Sequence, residues 1–124
     1  MLLQNHYMKK IYHLSTCNTC QRILKELAPF EGFTLQDVKE KPITQEQLER
    51  LRTLTSSYES LFNRRAQLYR KNGLHEKQLA ESDYKKLLLE HYTFLKRPVV
   101  LCNDVLFIGN SKKVVSAAKE KITS

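Results

Sequence analysis

Lys9-Lys10-Ile11-Tyr12-His13-Leu14-Ser15-Thr16-Cys17-Asn18-Thr19-Cys20 is the stretch on which the fold turns. From Lys9 to Leu14 apolar Ile11 alternates with polar or amphipathic neighbours and Tyr12 adds β preference, so the run reads as a short strand. Ser15 to Cys20 has the composition of a turn and a helix cap. Ile23, Leu24, Leu27 and Ala28 then follow Cys20 at helical spacing, and Pro29 and Gly32 close that helix. Beyond them Phe33, Leu35 and Val38 alternate with Thr34, Gln36 and Asp37, which predicts a second strand. Strand, helix and strand within some thirty residues make a βαβ unit, whose strands run parallel with a right-handed crossover.

After Pro42 the texture changes. Thr44-Gln45-Glu46-Gln47 has the Thr-x-x-Gln shape of a capping box, and Leu48, Leu51 and Leu54 or Thr55 give the stripe of a buried helix face. Further helical turns are expected around Ser57–Asn63, which carries Leu61 and Phe62, and from Arg65 to Asn72, stopped by Gly73. Ser82 is expected to cap an amphipathic helix presenting Tyr84, Leu87, Leu88, His91, Tyr92 and Leu95. The segment from about 44 to 95 therefore reads as all helix. Pro98 ends it. Val99–Cys102 and Val105–Ile108 read as a hairpin around Asn103-Asp104, and Ser111 caps a last helix with Val114, Val115 and Ala118 facing inward. The order is β-α-β, helical insert, β-β-α: an α/β chain with one domain over 8–124 and an insertion at about 44–95. Met8 could itself be a start, so residues 1–7 are expected to be a leader outside the fold.

With 124 residues, 41% hydrophobic and 27% charged, the chain has the balance of one soluble globule and enough length for a core without disulfide staples. Three Gly and three Pro exclude collagen-like, linker-like and Gly/Pro-rich disordered classes. No apolar run reaches the roughly 18 residues of a membrane span. The formal charge of +8 favours anionic partners, whether oxyanions, nucleic acid or an acidic protein face. The basic residues are spread over the insert and both ends without a helix-turn-helix pattern, so direct DNA binding is not expected. Three cysteines without framework spacing, and no signal-peptide pattern, point to a cytoplasmic protein.

Cys17-Asn18-Thr19-Cys20 is a C-x-x-C lying after a strand and at the start of a helix. A thiol there meets unpaired backbone N–H groups and the positive end of the helix dipole, which favour the thiolate. One cysteine can attack and the other, three positions on, can close a disulfide and release the product. Two other readings stay open: half of a zinc site completed by His13 and a distant residue, or two structural cysteines. No second C-x-x-C or spaced His pair supports the zinc reading, and no cofactor is expected. Cys102, mid-strand, reads as core. His13 reads either as a half-buried, hydrogen-bonded strand residue or as a participant in the chemistry. Arg97-Pro98 is the remaining informative pair, with an arginine suited to forked hydrogen bonds with an anion or to the C-terminal end of a helix.

His13, Cys17, the run Arg64-Arg65-Ala66-Gln67-Leu68-Tyr69-Arg70-Lys71 and Lys96-Arg97-Pro98-Val99-Val100 together resemble the arsenate reductase/Spx family of thioredoxin-like proteins. The resemblance covers almost the whole chain from Met8. It implies a thioredoxin-like fold with a four-stranded mixed sheet, in which Pro98 is the cis-proline entering the strand that faces the cysteines. It implies Cys17 as catalytic cysteine, with His13 helping to tune its ionisation. It also implies two oxyanion-binding arginines: Arg97, and in the insert Arg65, with Arg64 as the other candidate. Cys20 stands where glutathione-dependent arsenate reductases usually carry serine, and Asn103–Asn110 lacks the third arginine they bring. Ser57 falls near the glycine that Spx-type regulators use to meet RNA polymerase.

The function expected from this is a cytosolic thiol–disulfide oxidoreductase of the arsenate reductase-like kind. Cys17 would attack an oxyanion or disulfide and Cys20 would resolve, with thioredoxin or glutathione/glutaredoxin as reductant. The alternative is a Spx-type redox-sensing transcriptional regulator that binds RNA polymerase.

Overall fold

A computed structural model describes residues 8–124, and the leader expected for residues 1–7 lies outside them. In chain order the elements are β1 (Lys9–His13), α1 (Asn18–Leu27), β2 (Thr34–Asp37), α2 (Gln45–Thr53), α3 (Gln67–Lys71), α4 (Glu81–Glu90), β3 (Val99–Cys102), β4 (Val105–Ile108) and α5 (Lys112–Thr123). Short 3-10 turns at Glu59–Leu61, Leu74–Glu76 and Tyr92–Phe94 punctuate the middle. The chain forms two compact units. Pro42–Lys96 make one, and the segments that precede and follow them make the other.

The flanking segments build a four-stranded mixed sheet in the order β2-β1-β3-β4. Parallel pairing sets Ile11 opposite Leu35 and His13 opposite Asp37. Antiparallel pairing sets Tyr12 opposite Val99 and, across the hairpin, Cys102 opposite Val105. Asn103 takes the left-handed φ of 58° that the two-residue turn requires, a conformation Asn tolerates better than most side chains. On one sheet face Ile11 and Val100 pack with Ile23, Leu24 and Leu27 of α1 and with Val115 and Ala118 of α5, flanked by Phe30, Phe33, Phe107 and Ile122. Ser111 caps α5 as expected, its Oγ accepting from the Val114 N–H at 3.2 Å.

Three details of this unit differ from the sequence expectation. β1 stops at His13, because the Leu14 carbonyl leaves the ladder to accept the Cys17 N–H at 3.1 Å. Ala28 lies outside α1 and is exposed, in an extended conformation (φ −64°, ψ 148°), since the residue before a proline is driven from the helical region. In the edge strand β2, Leu35 is 40% exposed whereas Gln36 is 4% exposed. Burial of that amide is tolerated because its Nε2 donates to the Lys41 carbonyl at 2.9 Å.

The unit formed by Pro42–Lys96 is helical. The capping box at α2 is closed from both sides: Thr44 Oγ1 accepts the Gln47 N–H at 3.0 Å, and Gln47 Oε1 accepts the Thr44 N–H at 3.1 Å. Leu48 and Leu51 are fully buried. Phe62, also fully buried, stacks on Phe94 with centroids 5.1 Å apart and meets Tyr69 and Tyr84 edge-on. Such aromatic arrangements add to the area that the rings bury. Ser82 does not cap α4. The helix starts two residues earlier than a Ser82 cap would place it, with Ala80 at the cap, because Asp83 accepts the Ala80 N–H at 2.8 Å. Nor do His91 and Tyr92 continue it. His91 turns to φ −152°, its Nδ1 accepts the Thr93 N–H at 3.0 Å, and the 3-10 turn that follows buries Phe94.

Candidate functional site

The turn between β1 and α1 is built from the chain's own carbonyls. The Cys17 N–H donates to the Leu14 carbonyl, and the Cys17 carbonyl accepts the Gln21 N–H at 3.0 Å. Cys17 is thereby the N-cap of α1, with extended backbone (φ −97°, ψ 109°) and a half-buried side chain. No acidic residue lies in the first turn of α1, so no carboxylate there offsets the positive end of its dipole. Cys20, one turn inside the helix, is fully buried. Burial pushes its thiol above the ordinary cysteine value, while a backbone hydrogen bond from Leu14 and the charge of Arg97 pull the other way. All three cysteines are free thiols.

Arg97 is half-buried and stands just before β3, joined to Pro98 by a cis peptide bond; the Ala28–Pro29 bond is also cis. Tyr12 pairs with Val99, so residues 97 and 98 meet the same end of β1 as His13 and the cysteine turn. The influence of Arg97 on Cys20 is the electrostatic trace of that proximity. The structure thus brings together His13, Cys17, Cys20, Arg97 and Pro98 at one end of the sheet.

Three further residues line this end that the sequence pattern did not single out. Asp37, the register partner of His13, accepts the N–H groups of Ser15 and Lys39, both at 3.2 Å. Desolvation pushes its carboxyl up, but the Ser15 hydroxyl, these two N–H groups and the charge of His13 outweigh it and hold Asp37 below its ordinary value. Gln21, four residues after Cys17, donates its amide to the Leu14 carbonyl at 2.9 Å and lies 3.2 Å from His13 Nδ1. The only hint of Gln21 in the sequence was a polar side chain one helical turn from Cys17 and next to buried Cys20. Asp37 and Ser15 were hidden because their link crosses 22 residues.

Arg64 and Arg65 belong to the helical unit, and their surroundings differ. The Arg64 guanidinium donates to the Glu59 carboxylate and, at 2.9 Å, to the Tyr84 hydroxyl, and lies over the Tyr84 ring. The Glu59 contact in particular raises the Arg64 pKa, tying the side chain into its own unit. Arg65 is exposed, its backbone N–H donating to Asn63 Oδ1 at 3.0 Å. Among the described residues no group of three or more His, Cys, Asp and Glu is arranged to hold a metal ion, and no helix is long and apolar enough to cross a membrane.

None of the curated protein sequences matches the chain. Solved structures do. An ArsC family related protein from Bacteroides fragilis superposes with a TM-score of 0.76 at 20% identity, covering 91% of this chain and 98% of that one. The arsenate reductase from Vibrio cholerae gives 0.71 at 20% identity, with 91% and 98% covered. A protein from Streptococcus mutans described as a possible arsenate reductase gives 0.68 at 26% identity, with 86% and 92% covered. These likenesses give the thioredoxin-like architecture. The ArsC family model matches residues 12–118, a span that opens in β1, takes in the cysteine turn and the Arg-Pro junction, and closes in α5. With so much of the sheet, the helical unit and the cysteine turn inside one family pattern, the chain belongs to the ArsC family.

Proposed function

We propose that this ArsC family chain is a thiol–disulfide oxidoreductase of the arsenate reductase-like kind, with Cys17 as nucleophile and Cys20 as resolving thiol. The observation that carries the reading is the contrast between the two cysteines: Cys17 half-buried at the helix N-cap, Cys20 fully buried one turn further in and held as the thiol. In the reaction, Cys17 sulfur attacks arsenic(V) of arsenate and water leaves, giving an S–As bond. Cys20 sulfur, having given up its proton, then attacks Cys17 sulfur. The S–As electron pair departs with arsenic, which is released as arsenite, arsenic(III), and Cys17 and Cys20 are left as a disulfide. A thiol reductant, thioredoxin or glutathione/glutaredoxin, returns that disulfide to two thiols.

Arg97 is assigned to the anion, where its fork suits paired hydrogen bonds to two oxygens. Of the two insert arginines that the family resemblance offers as oxyanion-binding, Arg65 is the better candidate, because the Arg64 guanidinium is already committed to Glu59 and Tyr84 within its own unit. A soluble cytoplasmic setting, where a thiol reductant is at hand, fits the free cysteines.

The test is arsenate turnover measured separately with thioredoxin and with glutathione/glutaredoxin. The expected result is multiple turnover with one of the two systems and none for Cys17→Ser. A protein that oxidises once to the Cys17–Cys20 disulfide and turns over neither arsenate nor a model disulfide would overturn the enzyme reading and favour a redox-sensing regulator.

A further inference from the structure

The hydrogen bonds of Gln21 specify which nitrogen of His13 carries a proton. Gln21 Nε2 stands 2.9 Å from the Leu14 carbonyl oxygen and 3.2 Å from His13 Nδ1. A carbonyl oxygen can only accept, so the side-chain atom facing it is the amide NH₂ and not the amide oxygen, which settles the orientation of Gln21. That NH₂ has two hydrogens: one points to Leu14 and the other is available to His13. An amide NH₂ donates and does not accept, and a protonated Nδ1 would set donor against donor, so the pair is attractive only when Nδ1 presents its lone pair. We propose that Gln21 is a positioning residue that fixes His13 as the neutral imidazole protonated on Nε2, with Nδ1 closed as a proton acceptor.

Titratable and charged groups meet His13 from every neighbouring element. Asp37 lies opposite it in β2. Arg97 stands at the same end of the sheet before β3, and the thiols of Cys17 and Cys20 belong to α1 and its cap. Gln21 adds a neutral donor, on α1 itself, that disfavours a proton on Nδ1. With Cys17 read as the nucleophile, on which this part of the inference rests, His13 cannot take the Cys17 proton through Nδ1. Its contribution is a hydrogen bond donated from Nε2–H, available to a sulfur or oxyanion bearing negative charge. His13 is then a donor in the reaction and not its base.

The test is ¹⁵N NMR of the reduced, full-length protein at mildly alkaline pH, where imidazoles are neutral, with His13 assigned by the signals lost in His13→Asn. The expected wild-type pattern is a protonated Nε2 and an unprotonated, hydrogen-bonded Nδ1. In Gln21→Met, which keeps the length and removes the donor, the Nδ1 and Nε2 resonances should move toward each other as the second tautomer becomes populated, while those of exposed His75 stay in place. A wild-type ring protonated on Nδ1, or a folded Gln21→Met protein whose His13 resonances do not move, would overturn the proposal. Should Gln21→Met fail to fold, the wild-type pattern decides alone. An inert Cys17 would overturn the proposed function and leave these spectra unchanged, so the two failures are distinct.

Discussion

Cys17 and Cys20 are three positions apart, and one helical turn gives them opposite properties. Cys17 sits where the backbone has not yet become helical and its side chain retains access to solvent. Cys20 lies fully buried and its thiol is pushed up by that burial. Limiting iodoacetamide near neutral pH should therefore label Cys17 ahead of Cys20 and of buried Cys102, as read by peptide mass spectrometry; dominant labelling of either other cysteine would refute the assignment. Mild peroxide should then give wild-type protein two mass units lighter, the signature of a Cys17–Cys20 disulfide. Cys20→Ser should accumulate sulfenic acid or mixed disulfide at Cys17 instead. Tyr12 offers a separate test at this scale. Burial raises its phenol from 10.0 to about 12, so between those values the unfolded chain has released a proton that the folded chain retains. Stability should fall as pH rises through this window, by up to roughly 3 kcal/mol, and Tyr12→Phe should flatten that part of the profile in denaturant titrations.

At the scale of elements, several boundaries are set by a single side chain reaching back to the backbone. Thr44 and Gln47 close a reciprocal box at α2, and this was readable from four letters because both partners are local. Thr44→Ala should cost about 1 kcal/mol in chemical denaturation, and Thr44→Ser much less, since serine retains the acceptor. At α4 the letters were ambiguous. Ser82 is a good cap by composition, yet Asp83 secures the Ala80 N–H and the helix begins ahead of the serine. Ser82→Ala should accordingly change stability by less than about 0.5 kcal/mol, whereas Asp83→Ala should show the loss expected of a cap. The end of α4 departs from the apolar period for a related reason. His91 and Tyr92 continue the apolar period, but the hydrogen bond between Thr93 N–H and the His91 ring favours a turn there.

At the scale of the whole molecule, each unit has its own core, and each core can be challenged without touching the cysteines. In the helical unit Phe62 is the hub of a four-ring cluster with Phe94, Tyr69 and Tyr84. Phe62→Ala should cost roughly 3–5 kcal/mol, measured by equilibrium unfolding, because a fully buried ring and its three ring contacts are lost. What the sequence determined on its own were the features governed by near neighbours. The first strand and helix as separate elements, the capping box, the Asn103-Asp104 hairpin, the Ser111 cap and the placement of C-x-x-C at a helix start all depend on residues within a few positions of one another. Burial in β2 was not of that kind: Leu35 has the better inward letter, but the strand lies at the sheet edge, so Leu35 is 40% exposed while Gln36 is buried. The pairing of His13 with Asp37 depends on strand register, and the hold of Gln21 on His13 depends on how α1 returns over β1. The distinction between Arg64 and Arg65, adjacent and chemically identical in the sequence, appears only once Glu59 and Tyr84 have been brought to one of them. Periodicity and capping are short-range and are written into neighbouring residues; register, edge position and the partner of a long polar side chain are set by contacts between segments distant in the chain, and only the tertiary structure decides those.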